Sequence, residues 1–236
     1  MIIDIDPSPK NTFDQVVATA QAVKKILDKA GVDCYCKTSG ATGLHVYVPT
    51  GNKYTYEQVR KFGQIVAALT VDTLPKFTSI ERSLKKRGNK IYVDFLQNSK
   101  GQTLASAYSV RPKAGATVSA PLLWKEVKKG LHPSQFSIFN IEKRVKKVSD
   151  LFSEVLTNKS FNLQKALKKL TDWIYHAAPF AKNFVLFAVK FLPQRTQRLA
   201  QKKPYYYESK STAMAENIVN RILEKFQIAS FIKIDP

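Results

Sequence analysis

The stretch from Ile2 to Pro7 interleaves two acids with apolar residues, placing Ile3 and Ile5 between and beside Asp4 and Asp6. That alternation is the mark of a half-buried strand, and side chains two positions apart on a strand share a face. Asp4 and Asp6 are therefore expected on one side of a sheet, roughly 7 Å apart at the backbone. Two carboxylates held that close repel unless a proton or a cation lies between them, and a hard, oxygen-liganded ion such as Mg²⁺ or Mn²⁺ is the usual remedy. A strand end carrying two solvated acids gives the same pattern, so the pair alone does not decide between the two readings.

The chain of 236 residues is long enough to bury a full core, as one large domain or one domain with an appendage. Its 38 Lys and Arg against 18 Asp and Glu give a formal net charge of +20. An excess of that size suits a polyanion, because each neutralised phosphate releases counterions. The basic residues are spread along the whole length, unlike the single amphipathic helix that would favour an acidic membrane. The longest apolar run, Phe184 to Leu192, is shorter than the roughly 20 residues of a membrane span. Met1 runs straight into the acidic strand, so no secretory signal is expected. Cys34 and Cys36 share a strand face, which suits neither a disulfide between them nor a zinc site. A reducing, cytoplasmic, nucleoid-associated location is the expectation.

Further along, Thr12-Phe13-Asp14-Gln15 fits a capping box before a helix whose apolar positions run from Phe13 to Ala30, stopped by Gly31. Asp33 to Lys37 reads as a strand, Thr38 to Gly43 as a small-residue turn, and Leu44 to Val48 as a strand closed by Pro49. Together they predict a hairpin beside the acidic strand. A second capping box at Thr55 to Gln58 starts a helix that buries Val59, Phe62, Val66 and Leu69 and ends before Pro75. The basic turn Ser83 to Asn89 leads into a strand from Lys90 to Leu96, where Tyr92, Asp94 and Leu96 share a face and Asp94 needs a cation or donors in front of it. Phe136 to Phe139 reads as a short strand or an extended packing segment, and Ile141 onward as a helix. Beyond Ser149, helices are expected at Leu151 to Leu156, Leu163 to Ile174 and Met214 to Phe226, with a basic and aromatic cluster from Gln194 to Tyr207. The organisation predicted is a catalytic part over 1–148 and a basic helical extension over 149–236.

Asp4 and Asp6, the Ser39 to His45 hairpin and Asp94 fall in the order of the three motifs of the archaeo-eukaryotic primase superfamily, which they resemble. Asp4-Ile5-Asp6-Pro7-Ser8, Lys37-Thr38-Ser39-Gly40 with Gly43-Leu44-His45, Tyr92 to Asn98, Tyr108-Ser109-Val110-Arg111 and Pro121 to Glu126 resemble the polymerase domain of bacterial DNA ligase D, over roughly residues 1 to 156. The resemblance implies an α+β fold: a mixed or antiparallel catalytic sheet flanked by helices, then a helical C-terminal extension. It implies a nucleotidyltransferase that adds NTPs or dNTPs to DNA ends during non-homologous end joining, with a two-metal site of Mn²⁺ or Mg²⁺ held by Asp4, Asp6 and Asp94. Ser39, Gly40, His45, Arg87, Lys90 and Arg111 become the candidates for nucleotide binding. Taken alone, His45 reads as an ordinary strand histidine and Arg87 equally well as a solvated turn charge. A ligase and end-binding repair proteins are further candidate partners.

Two departures from the family pattern stand out. Many relatives carry Lys at the place of Thr42, which removes one phosphate contact. Family members also have a long segment before the acidic strand, whereas here that strand starts at residue 2. This leaves two rivals open: an inactive remnant that still engages DNA ends, and a two-metal phosphodiesterase, against which the phosphate-facing turn at Ser39 counts.

Overall fold

The computed structural model describes residues 1–157 and 159–176, and the chain divides into two compact units, Met1–Asn162 and Leu163–Pro236. The first unit runs β1 (Ile2–Asp6), α1 (Phe13–Ala30), β2 (Tyr35–Thr38), β3 (Leu44–Tyr47), α2 (Tyr56–Thr73), β4 (Thr78–Ser79), α3 (Leu84–Arg87), β5 (Ile91–Asp94), β6 (Pro121–Leu122) and α4 (Ile141–Val148). Its single sheet has the order β4-β5-β1-β3-β2-β6. Every pairing is antiparallel except β4 with β5, so the fold is α+β with one mixed sheet flanked by helices.

Both expected capping boxes are present: Thr12 and Thr55 each accept from the third helical N–H, while Gln15 and Gln58 reach back to the cap N–H. Gly31 ends α1 at φ 68°, the left-handed geometry that glycine adopts without strain. α1 and α2 pack on one face of the sheet. Ile3 and Ile5 of β1, Val46 of β3 and Ile91 and Val93 of β5 meet Val16, Val23, Phe62 and Val66 of the helices, and all are essentially inaccessible to water. Alternation then turns Asp4 and Asp6 toward the opposite face.

Asn98 fastens the first strand. Its side chain accepts from Ile2 N–H (2.7 Å) and donates to the carbonyls of Ile2 (2.7 Å) and Phe95 (2.9 Å), mimicking a missing strand partner. At the far edge, Arg144 of α4 forks onto Glu126 and also donates to the Pro121 carbonyl (2.9 Å), which anchors β6.

Several elements differ from the sequence expectation. β5 stops at Asp94, because its carboxylate accepts the Leu96 N–H at 2.6 Å and bends the chain into a turn; Leu96 therefore does not extend the strand face. Phe136 to Phe139 forms no strand, and only Ser137 makes an isolated bridge, to Thr117. Leu151 to Leu156 forms a single 3₁₀ turn, Ser153–Leu156, with Asp150 capping Phe152 N–H. Val59 is half-buried rather than buried. In the second unit α5 spans Leu163–His176, matching the helix expected from Leu163. The segments Phe184 to Leu192, Gln194 to Tyr207 and Met214 to Phe226 lie outside the described residues. Among the described residues, no helix is long and apolar enough to cross a membrane.

Candidate active site

Strand register gathers the chemistry into one transverse row. Asp94 of β5 stands opposite Asp4 of β1, Asp4 opposite His45 of β3, and His45 opposite Lys37 of β2. Directly paired residues project to the same side of a sheet, so all four side chains share the face turned away from α1 and α2. Asp6 opposite Tyr92 forms the next row on that face.

The acids are crowded. Burial, then the neighbouring charges of Asp6 and Asp94, push the Asp4 carboxyl up to about 7, with Lys37 pulling weakly the other way. Asp6 is raised by burial too, offset first by Arg87. Asp94 keeps one oxygen engaged with Leu96 N–H.

His45 connects the acids to a buried lysine. Its Nε2 lies 3.4 Å from Asp4 Oδ1, and its Nδ1 lies 2.9 Å from Lys37 Nζ. Burial, then Lys37 and Arg111, hold the imidazole down at about 3, so the His45 and Asp4 contact is not an ion pair between charged groups. Lys37 is fully buried, and burial lowers its ammonium to about 8. Its Nζ also reaches Ser119 Oγ at 2.6 Å and the Ala105 carbonyl at 2.9 Å. Sequence reasoning noted Lys37 within a motif and did not place it in the site. A signal existed: a hairpin symmetric about Ala41 sets residue 37 opposite residue 45, so an unpaired strand lysine becomes a neighbour of the histidine.

The turn between β2 and β3 is built by Ser39, whose Oγ accepts the N–H groups of Ala41 (3.1 Å) and Gly43 (3.0 Å). Ser39 N–H in turn donates to the Gly43 carbonyl at 2.9 Å. Three amides of the turn are thus satisfied internally, and the Ser39 hydroxyl hydrogen remains available as a donor. Gly40 sits at φ 71°, with Arg111 Cγ and Ser119 N closer to it than any Cβ would allow. Arg111 lies along this turn, with Nη1 3.4 Å from the Ser39 carbonyl. At the acidic end Arg87 stacks over the Tyr92 ring, 4.5 Å from its centroid, and its charge acts on Asp6. Lys90 instead donates to the Pro75 carbonyl (2.7 Å) beyond the end of α2, and the contacts described for the acids do not include it.

Among the described residues, no group of three or more His, Cys, Asp or Glu side chains is closed up as a metal site. The donor chemistry nevertheless suits a hard divalent ion: three carboxylates share a face, and the crowding of negative charge raises the proton affinity of Asp4 and Asp6, which is the charge imbalance a cation relieves. Among the described residues, the buried Arg87 Nε, whose charge acts on Asp6, has no hydrogen-bond partner, leaving a polar atom that an ion's water or phosphate ligands would meet.

Comparison with known proteins bears on this geometry. The chain is 36% identical over 159 residues to the bifunctional non-homologous end joining protein LigD of Bacillus subtilis, covering 67% of this chain and 26% of that one. It is 29% identical over 144 residues to the multifunctional LigD of Pseudomonas aeruginosa, covering 61% and 17% respectively. It therefore spans about a quarter or less of these relatives' lengths. The solved polymerase domain from Mycobacterium tuberculosis Ligase D in complex with DNA superposes with a TM-score of 0.61 at 27% identity, covering 66% of this chain and 54% of that one. The family model for the LigD primase-polymerase domain matches residues 1–152, and the chain belongs to that family.

Proposed function

We propose that the first unit is a nucleotidyltransferase that adds NTPs or dNTPs to DNA ends in non-homologous end joining, using a pair of divalent ions, Mn²⁺ or Mg²⁺. The observation that carries this is the row Asp94, Asp4, His45 and Lys37, with acids at one end and donors at the other, beside the Ser39 turn. Asp4, Asp6 and Asp94 would hold the ions, which supply Lewis-acid stabilisation of the attacking and leaving oxygens. The Ser39 hydroxyl, the Gly40 backbone, His45 and Arg111 form the triphosphate side, and Arg87 carries positive charge to the acidic side, where a primer end would meet it. The net charge of +20 supports a phosphate-rich partner, and the solved relative is bound to DNA.

The test is extension of a gapped or overhanging DNA by the full chain with Mn²⁺ or Mg²⁺ and labelled nucleotides. Incorporation that disappears in Asp4→Asn is expected. DNA binding without incorporation would reduce the chain to an end-binding module, and DNA hydrolysis without nucleotides would point to a phosphodiesterase.

A further inference from the structure

Lys37 is a lysine without exposure, and all three of its close polar partners are neutral. The directions of its bonds are fixed by those partners. The Ala105 carbonyl can only accept. Ser119 Oγ spends its own hydrogen on the Thr38 carbonyl at 2.8 Å, so toward Nζ it too can only accept. An ammonium has three hydrogens, and two are thereby committed. The third points at His45 Nδ1, 2.9 Å away.

We propose that Lys37 is a positioning residue that holds His45 as the neutral Nε2–H tautomer, so that the imidazole presents a hydrogen-bond donor to the reaction face beside Asp4. The logic is one of proton counting. A donor at Nδ1 requires a lone pair there, and in a neutral imidazole the proton then resides on Nε2. If Lys37 lost its charge, its nitrogen would have two hydrogens for Ala105 and Ser119 and one lone pair. The contact with His45 would then reverse, with Nδ1–H donating, and Nε2 would become an acceptor. A triphosphate oxygen is an acceptor, so it is attracted by the first arrangement and repelled by the second.

The surroundings reinforce the assignment. Thr38, which receives the Ser119 hydrogen, is tied back through its own hydroxyl to the Val118 carbonyl at 2.9 Å and accepts Ala120 N–H at 2.9 Å. The polar cage beneath Lys37 is therefore locked to the segment bearing Ser119, and the lysine cannot turn without breaking it. The nucleotide-facing part of this inference rests on the functional reading above; the tautomer does not.

The chain contains three histidines, so imidazole nitrogen resonances of ¹⁵N-histidine-labelled protein are few enough to assign, with His45→Gln identifying the signal by its loss. In metal-free wild-type protein at pH 7, His45 is expected to show a pyridine-like Nδ1 and a pyrrole-like, protonated Nε2. Lys37→Met keeps the stem and removes the donor; the His45 signals are expected to shift toward a mixture of tautomers. Affinity for a non-hydrolysable nucleoside triphosphate should fall roughly tenfold to a hundredfold, the range for losing one hydrogen bond to a charged group. A wild-type spectrum with the proton on Nδ1 would overturn the proposal even if the variant fails to fold. So would a folded Lys37→Met protein with an unchanged spectrum and unchanged nucleotide affinity. Failure of the wild type to bind nucleotide, with the Nε2–H spectrum intact, would instead remove the functional reading and leave the tautomer assignment standing.

Discussion

Asp4 and Asp94 stand directly opposite each other on neighbouring antiparallel strands, both projecting to the face away from the helices. Paired like charges destabilise a sheet, and burial deepens the penalty. Asp4→Asn and Asp94→Asn are each expected to lower nucleotide incorporation by about a hundredfold or more, the scale for removing one group from the apparatus that stabilises developing charge. In chelator at pH 8, thermal melting of Asp4→Asn should rise above wild type by a few degrees, roughly the effect of 1 kcal/mol. Activity and stability moving in opposite directions would separate an ion-binding acid from a structural one. A drop in both would contradict this account.

The pH dependence of stability divides between two neighbours in the row. Asp4 has its carboxyl raised from an ordinary 3.8 to about 7, so between those values the folded chain holds a proton that the unfolded chain releases. Its contribution to stability therefore falls as pH rises through that window. His45 behaves oppositely: lowered from 6.5 to about 3, it stays neutral when folded and takes up a proton when unfolded, so its contribution is lost as pH falls from 6.5. The two nearly cancel between about pH 4 and 6.5. In His45→Gln, acidification from pH 7.5 to 5 should raise the urea midpoint relative to the wild-type change; in Asp4→Asn it should lower it. Differences of the same sign in both variants would show that these groups do not titrate as the burial requires.

Much of this was legible in the chain itself, and the reason is local. Helix starts announce themselves within four residues, as at Thr12 and Thr55, and alternation around Ile3 and Ile5 assigns Asp4 and Asp6 to one face. Placing Asp94 opposite Asp4 rather than one step along depends on long-range register, which periodicity alone does not provide. Lys37 was hidden for the same reason, because its partners His45, Ala105 and Ser119 come together only after the hairpin and the later loop have docked. Lys90 and Arg87 flank one turn and read alike in sequence, yet one stacks on Tyr92 and the other binds the Pro75 carbonyl.

Gly43 marks the closest approach of the hairpin to the acidic strand. A Cβ there would lie 2.2 Å from the Ile5 carbonyl oxygen, a backbone atom that moves only if β1 and β3 separate. Gly43→Ala should cost about 3 kcal/mol, at the upper end for forced packing, and weaken nucleotide binding as well. Gly63→Ala on α2 is the control: its added methyl meets neighbours no closer than 3.4 Å and gains helix propensity, so its stability should stay within about 1 kcal/mol of wild type. Chemical denaturation of the two variants side by side decides the matter, and equal stabilities would mean the hairpin has room that the structure denies it.

Asn98 is the remaining fixed point of the site, although it touches neither acid. It gives β1 two hydrogen bonds at Ile2 and ties them to Phe95, one residue past Asp94, so the strands bearing Asp4 and Asp94 share a single buried clamp. Asn98→Ala leaves the N–H and carbonyl of Ile2 without that partner in a buried setting, at a cost of about 2 to 4 kcal/mol. Asn98→Asp keeps the acceptor for Ile2 N–H and loses the donor, adding a carboxylate next to two carbonyl oxygens; it should be at least as destabilising at pH 8 and recover part of the loss at pH 5, where protonation restores one donor. Because the clamp sets the spacing of the two acids, incorporation should fall in both variants by more than the fraction unfolded explains, most visibly at limiting divalent ion. If incorporation per folded molecule is unchanged in either variant, β1 and β5 hold their spacing without Asn98 and its role is confined to stability.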